Sequence, residues 1–285
     1  MLAGVLFLFG GVMSIKNTDI FGRKVFFIAP DTSIIHLSFM EDFCALGYES
    51  HILGRSDGSL EKNVEIITSH FPDAVLFVNV DAAAPGGNWL QFVRQIRQQN
   101  MDMIVGVIFS AFSRDRVRQV ENEFGNAVSP LAGCVGLTPG DGDANFKTLV
   151  ATLEKVGAKG RRNYIRAVCN ETSGVSFNVE GKPFHARIDD VNVAHISCIL
   201  DASSDIHGMK IYEKVRGAHI SVNGLEFYTD IILIMKRDKA GVSTAVFMFI
   251  KAPDDEPGIE SELEAPLNKK IYEITSREFA ELLRK

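Results

Sequence analysis

The chain has 285 residues, of which 46% are hydrophobic and 23% charged, and its formal net charge is −6 at pH 7. This composition is close to the average of globular proteins, and the length suits two domains of ordinary size. The acidic excess lies in the first half, where residues 1–157 carry 12 basic and 17 acidic side chains. Non-specific nucleic-acid binding needs a concentrated basic surface, so we expect no nucleic-acid partner.

The cysteines and histidines predict neither disulfides nor a metal site. Four cysteines lie far apart in apolar surroundings, without a C-x-x-C pair, which is typical of a reduced cytoplasmic protein; they are Cys44, Cys134, Cys169 and Cys198. The histidines show no H-x-x-x-H spacing, so we expect no metal and no cofactor. No nucleophile triad, nucleotide-binding glycine loop or paired carboxylate motif is recognisable, and we therefore expect no enzymatic activity.

Residues 1–22 are interpreted as an N-terminal extension. The apolar run at 2–12 is about half the ~20 residues that a membrane-spanning helix needs, and no basic residue precedes it. We therefore expect no stable membrane insertion and no signal peptide. The polar stretch that begins at Met13 leaves two starts open, Met1 and Met13. The alternative for the apolar run is a helix that packs on a partner or on a membrane surface.

From residue 23 to 157, short apolar runs alternate with amphipathic stretches, which is the pattern of a parallel sheet with crossover helices. The predicted strands are residues 24–29, 49–53, 74–80, 103–109 and 132–137. The predicted helices are residues 32–46, 60–71, 89–99, 114–124 and 143–156, with helix-ending glycines at Gly47 and Gly157. The first half is therefore predicted to be a flavodoxin-type (βα)5 domain.

Ligands of such sheets bind beyond the carboxyl ends of the strands, so the residues that follow each strand matter most. These residues are Pro30-Asp31, Asn79-Val80-Asp81 with Pro85 further on, Ser110-Ala111 and Thr138-Pro139. At these positions the half resembles a response-regulator receiver domain. The resemblance implies a vestigial phosphoacceptor site formed by Asp31, Asp81, Ser110 and Thr138.

The receiver pattern is incomplete. Pro30 stands where the family has a second acidic residue, and Thr138 stands where it has a lysine. Phosphoryl transfer to a carboxylate requires Mg²⁺ and a cation that holds the phosphoryl oxygens, and both are weakened here. A second alignment would place Val78 at the acceptor position. We interpret the domain as a pseudo-receiver for docking or homodimer formation, with Asp31 as an alternative helix N-cap and Asp81 as an alternative loop residue.

The basic segment 158–166 marks the boundary to a second domain, residues 158–285. Short runs separated by turn residues predict an antiparallel β-barrel. The predicted strands are residues 167–170, 174–179, 182–188, 195–200, 210–215, 218–222, 225–235 and 243–249. Turns are predicted at Glu180-Gly181, Asn223-Gly224 and Lys239-Ala240-Gly241. An acidic loop at 253–264 and a closing helix at 277–283, capped by Thr275 and Glu278, complete the prediction.

The second half resembles a PilZ domain, a small β-barrel family whose well-known members bind the second messenger cyclic di-GMP. The resemblance is carried by Arg162-x-x-x-Arg166 and by the segment from Asp190 to His195, where the family has Asp/Asn-x-Ser-x-x-Gly. In this segment Asn192 replaces serine, and His195 replaces glycine. The resemblance implies a ligand site formed by Arg161, Arg162, Arg166, Asp190, Asn192 and His195.

The chemistry of the first motif suits a doubly charged cyclic dinucleotide. A guanidinium group can bind phosphate oxygens in a bidentate manner and can stack on a guanine, whereas a lysine can do only the first. The resemblance to PilZ domains thus implies a signalling adaptor that binds cyclic di-GMP and relays this through domain rearrangement to an unidentified protein partner. Two alternatives remain open: a ligand-free PilZ-like interaction module, and a phosphorylatable response regulator.

Overall fold

The computed structural model describes residues 21–54, 59–200, 208–239 and 242–284. Most of the predicted N-terminal extension, including both candidate starts, lies outside the described residues, as do Ala240 and Gly241 of one predicted turn. The described residues form one parallel and one antiparallel sheet. None of the described helices is both long enough and apolar enough to cross a membrane.

The first half is a five-stranded parallel sheet in the order β2-β1-β3-β4-β5, which is the order of flavodoxin-like sheets. Its elements are β1 (Val25–Ile28), α1 (Ser38–Ala45), β2 (Ser50–Leu53), α2 (Leu60–His70), β3 (Val75–Asn79), α3 (Trp89–Gln99), β4 (Ile104–Ser110), α4 (Arg114–Phe124), β5 (Cys134–Leu137) and α5 (Gly142–Lys155). The predicted alternation of parallel strands and helices is confirmed. Helix α1 begins later than predicted, because turns at Asp31 precede it.

Helices cover both faces of this sheet, which is why its strands are almost wholly apolar. Phe26 and Ile28 face a core that α2, α3 and α4 complete. Val25 and Phe27 face the opposite core, which α1 and α5 complete. Successive residues of β1 thus serve different cores, as the two-residue period of a strand requires.

The strands of the second half are β6 (Ala167–Val168), β7 (Gly174–Val179), β8 (Lys182–Val191), β9 (His195–Leu200), β10 (Lys214–Val222), β11 (Leu225–Lys239), β12 (Val242–Lys251) and β13 (Glu256–Pro257). They form a closed antiparallel barrel, since β11 pairs with both β10 and β12 around the order β11-β10-β7-β8-β9-β12. The predicted barrel and its hairpins are present. The strands predicted at 210–215 and 218–222 are, however, one strand, β10, with a bulge between Val215 and Ala218.

The predicted closing helix is present, but its predicted start at residue 277 was wrong. Helix α6 runs from Ser261 to Arg284, so it replaces the end of the predicted acidic loop. Thr275 is not a cap but an interior residue, whose hydroxyl donates to the carbonyl oxygen of Ile271 at 3.2 Å. Acidic residues at the start of the helix are favourable there, because its N-terminus carries a partial positive charge.

Helix α6 packs into both halves of the molecule. Its first part contributes Leu267, Ile271 and Ile274 to the core of the barrel. Its last part contributes Phe279 to the core of the α/β half, where the ring lies 5.0 Å from that of Phe26. The helix therefore belongs to the hydrophobic cores on both sides of the predicted domain boundary.

Candidate functional site

The linker between the halves, residues 158–166, is held at both ends. At its start, the amide of Arg23 donates to the carbonyl oxygen of Ala158 at 2.8 Å. At its end, Ile165 is buried in the core of the barrel. Gly47, at the end of α1, has φ +86°, and a Cβ there would lie 2.6 Å from the carbonyl oxygen of Asn163. The α/β half thus approaches the linker so closely that a side chain at Gly47 would collide with it.

The linker, the barrel and the α/β half enclose a groove with a volume of about 370 Å³. We call it the linker groove. Its lining residues are Phe21, Glu49, Arg162, Tyr164, Ile165, Arg166, Val168 and Asp190. The structure therefore brings together Arg162, Arg166 and Asp190, three of the six predicted ligand residues.

Asp190 occupies the barrel wall of the linker groove, on β8, where it is paired with Val168 of β6. Nη1 of Arg166 donates to its Oδ1 at 3.3 Å. Burial raises the pKa of Asp190, and the negative charge of Asp189 adds to this, whereas the positive charges of Arg166 and Arg162 oppose it. The pair is only partly buried, and its 3.3 Å contact is long for a charge-assisted hydrogen bond. A ligand group with a higher negative charge can therefore displace the carboxylate of Asp190 from Arg166.

Arg162 has an aromatic partner rather than an acidic one. Its guanidinium carbon lies 4.1 Å from the centre of the Phe21 ring, within the range of a cation–π interaction. Burial lowers the pKa of Arg162, and the positive charge of Arg166 adds to this. The two guanidinium groups therefore lie close enough to interact, which is an arrangement that favours an anion between them.

Glu49 contributes a negative charge to the linker groove from the end of the loop before β2. Lys24 forms an ion pair with it, and Nε2 of His51 lies 3.5 Å from its Oε1. Burial alone would raise the pKa of Glu49, but the hydrogen bond and charge of His51 and the charge of Lys24 lower it to about 2. Glu49 is thus ionised at neutral pH and faces the same groove as the arginines.

Of the second predicted motif, Asp190 lines the linker groove, whereas Asn192 and His195 do not. Asn192 is 4% exposed, and its Oδ1 accepts from the amides of Ala194 at 2.8 Å and His195 at 2.9 Å. This amide side chain closes the β8–β9 turn and does not line the groove, so its role as a ligand residue stays a prediction. His195 is half-buried outside the groove, and burial, followed by the charge of Arg166, lowers its pKa. Arg161 is exposed and also lies outside the groove lining.

The receiver-like residues lie at the carboxyl edge of the parallel sheet, as expected for strand ends. Asp31 and Asp81 line one depression of about 410 Å³ between β1 and β3, where the strand order reverses. Oδ1 of Asp31 accepts from the amide of Ser33 at 2.8 Å, and this hydrogen bond lowers its pKa. Asp31 therefore stabilises the turn that precedes α1.

Asp81 is engaged by its own half of the molecule. Its Oδ2 accepts from the amide of Ser110 at 2.6 Å, and its Oδ1 pairs with Nη2 of Arg116 at 2.5 Å. The amide of Thr138 donates to Oδ1 of Asn145 at 2.8 Å, so Thr138 is held by α5 and does not line the depression. No group of three or more metal-binding side chains occurs among the described residues.

The sequence prediction missed five residues that line the linker groove: Phe21, Glu49, Tyr164, Ile165 and Val168. Phe21 fell within the predicted N-terminal extension, and Glu49 was read only as the start of a strand. Neither Phe21 nor Glu49 has a local signal, because both line the groove only through the packing of the α/β half against the linker.

No protein-family model matches the chain, and no curated protein matches it. Among solved structures, the PilZ domain of YcgR from Escherichia coli with c-di-GMP is 15% identical, covers 44% of this chain and 98% of that chain, and has a TM-score of 0.35. The inhibitor of motility MotI/DgrA of Bacillus subtilis is 12% identical, covers 40% of this chain and 50% of that chain, and has a TM-score of 0.31.

A third structure, the Borreliella burgdorferi PlzA protein in complex with c-di-GMP, is 8% identical, covers 47% of this chain and 58% of that chain, and has a TM-score of 0.28. This chain thus spans about half the length of the longer proteins that it matches. The matched part is its C-terminal part, and the receiver resemblance of the first half stays a prediction. At these TM-scores the superpositions are too loose to assign a function, which must rest on the residues themselves.

Proposed function

We propose that the chain is a non-enzymatic signalling adaptor that binds cyclic di-GMP in the linker groove. The observation that carries this proposal is the convergence of Arg162 and Arg166 on one groove, beside a carboxylate of the barrel wall. Each phosphate of the ligand would take a bidentate guanidinium contact, and Asp190 would accept from the edge of a guanine.

The groove also offers aromatic and apolar surface for the bases. Tyr164 is 41% exposed and Val168 is 59% exposed at the groove wall. A guanine has two flat faces, which suit stacking on a phenol ring and on the planar guanidinium of Arg162. A lysine at position 162 would keep the charge but lose the stacking.

Binding requires two contacts within the protein to break. The Arg166–Asp190 ion pair must loosen so that Arg166 can turn to a phosphate, and Phe21 must leave the face of Arg162. Both contacts are partly exposed, and such contacts contribute roughly 0–1 kcal/mol each. A doubly charged ligand can therefore replace them.

Both halves of the molecule line the linker groove. Phe21 and Glu49 belong to the α/β side, whereas Val168 and Asp190 belong to the barrel. The carboxylate of Glu49 repels phosphate, so a bound ligand would favour a different spacing of the halves. We propose that this change of spacing is the signal that a protein partner, or a second copy of the chain, reads.

Calorimetric titration with cyclic di-GMP tests the proposal. We expect micromolar binding to the wild type and at least tenfold weaker binding to Arg162→Ala, which corresponds to about 1.4 kcal/mol. Arg187→Ala is the matched control, because Arg187 is an exposed arginine on the same strand as Asp190 and outside the linker groove. Equal weakening by both substitutions would mean that general charge, and not the groove, attracts the nucleotide.

The rival, a ligand-free interaction module, is favoured by one observation. Both arginines already have partners within the chain, Phe21 and Asp190. A ligand that binds only the native state must raise the melting temperature. An unchanged melting temperature at saturating cyclic di-GMP would therefore support the rival and refute the proposal.

A further inference from the structure

A second cavity, separate from the linker groove, lies between β2 and the last turns of α6. Its volume is about 390 Å³. Its lining residues are His51, Ile52, Tyr272, Ser276, Phe279, Ala280, Leu283 and Arg284. We call it the helix cavity. Pockets that hold small organic ligands commonly have volumes of about 300–1,000 Å³, so its size suits such a ligand.

The helix cavity is lined by buried polar atoms that lack partners. His51 is 3% exposed, and its ring nitrogen Nδ1 has no hydrogen-bond partner among the described residues. The other ring nitrogen, Nε2, lies 3.5 Å from Oε1 of Glu49 and pairs with that carboxylate. The hydroxyl of Ser276 is buried without a partner as well. Buried polar groups in folded proteins are almost always hydrogen-bonded, so these atoms point to a missing occupant.

The remaining walls favour an aromatic body. The ring of His51 lies 4.6 Å from that of Phe279 and 5.4 Å from that of Phe26. Ile52 and Leu283 add aliphatic surface. Water alone is a poor occupant of such walls, and the space exceeds by about tenfold the ~30 Å³ that one water molecule takes. A planar ring would extend the aromatic stack that His51 and Phe279 begin.

The mouth of the cavity carries a positive charge. Arg284 lines it, is exposed, and has no acidic partner within 4 Å among the described residues. A guanidinium group binds a carboxylate in a bidentate manner. Burial lowers the pKa of His51, whereas the hydrogen bond and charge of Glu49 oppose this shift, and Nδ1 of the ring can form a hydrogen bond with a polar substituent.

We propose that the helix cavity binds a small planar aromatic carboxylate, with the ring against Phe279 and His51, the carboxylate on Arg284, and a ring hydroxyl on His51 or Ser276. This site shares no residue with the linker groove. The proposal is therefore independent of cyclic di-GMP binding, and Arg162→Ala must leave it unchanged.

The test is calorimetric titration of the full chain with 6-hydroxy-2-naphthoate. We expect saturable binding at a single site, with a dissociation constant below about 1 mM. Arg284→Gln should weaken it by roughly tenfold, because a charge-assisted contact is lost. Arg277→Gln is the matched control, since Arg277 is an exposed arginine on the same helix and outside the cavity. Its affinity should equal that of the wild type.

Ala280→Leu tests the cavity itself, because the larger side chain fills the space while leucine keeps the helix intact. We expect this variant to keep its circular dichroism and to lose naphthoate binding. Should it fail to fold, 2-naphthoate and 2-naphthol decide the matter with the wild type, since each lacks one of the two polar groups and each should bind several-fold more weakly. No binding of 6-hydroxy-2-naphthoate up to several millimolar, or equal binding to Arg284→Gln and Arg277→Gln, would overturn the proposal.

Discussion

The two halves of the molecule use the polar residues at their loop ends in opposite ways. At the sheet edge of the α/β half, both oxygens of Asp81 are engaged, one by the amide of Ser110 and one by Arg116. In the linker groove, Arg166 has a single long contact to Asp190, and Arg162 has only a ring beside it. The first arrangement stabilises the fold, whereas the second leaves charge that a ligand can use.

This difference shows that the kind of residue at a strand end does not by itself indicate a site. Asp81 and Asp190 are both carboxylates beside an arginine. What separates them is the number of short hydrogen bonds that each already accepts, because a ligand or metal must compete with these bonds. By this criterion the linker groove, and not the receiver-like edge, is the better binding site.

The largest expected effect tests whether the α/β half is stable without helix α6 of the barrel half. Phe279→Ala should destabilise the chain by about 3–5 kcal/mol, because it removes a buried ring of the barrel-side helix from the α/β core. The only tryptophan, Trp89, is buried in the α/β half, so its fluorescence reports that half alone. We expect its urea transition to move to lower urea. Glu281→Ala, an exposed change on the same helix, should not move it.

An unchanged Trp89 transition in Phe279→Ala would mean that the α/β half is stable without the helix. The two halves would then be domains that fold independently of each other.

A smaller effect is expected at Glu49, which belongs to the α/β half but lines the linker groove. Its pKa is lowered from 4.5 to about 2 in the folded chain, so the unfolded chain binds the proton more readily. The stabilisation it provides is therefore complete above pH 4.5 and is lost as the pH falls towards 2. Glu49→Gln should cost on the order of 1–3 kcal/mol at pH 7 and nothing at pH 2.

Urea unfolding of both proteins at a series of pH values measures this difference. Glu281→Gln is the control, because Glu281 is an exposed carboxylate that lies outside both cavities. If the free energies of unfolding of wild type and Glu49→Gln differ by the same amount from pH 7 to pH 2, the lost stability is not due to the charge of Glu49.

The smallest expected effect is a gain in affinity for cyclic di-GMP. Phe21→Ala should tighten cyclic di-GMP binding by roughly two- to fivefold, because the cation–π contact of about 0.5–1 kcal/mol no longer competes for Arg162. Phe112→Ala is the control, since Phe112 is 74% exposed and lies outside the linker groove. Weaker binding by Phe21→Ala in calorimetry would mean that Phe21 is part of the ligand site and not a competitor for it.

Much of the fold could be predicted from the sequence, because periodicity and turn residues are local. The alternation that placed α3 and α4 was correct to the residue. Helix α6 was not, since its first half has the acidic composition of a loop and is stabilised by packing of Leu267 and Ile271 on the barrel. Tertiary contacts therefore make this segment helical, as they often do where the intrinsic helix propensity is weak.

The candidate site could be predicted only in part. Arg162, Arg166 and Asp190 stand out because a charged motif precedes a barrel, and the structure brings these three residues together. The role of Asn192 in a turn depends on backbone amides that no sequence motif specifies. Phe21 and Glu49 could not be predicted, because their approach to the groove results from packing between segments remote in the chain.

The position of Phe279 has a consequence for synthesis on the ribosome. One part of the core of the first half, around Phe26, packs against the ring of Phe279, which is translated roughly 250 residues after Phe26. Until Phe279 is translated, this nascent half exposes an apolar surface that other hydrophobic segments and chaperones can bind. The core of the first half is thus completed only after helix α6 has been synthesised.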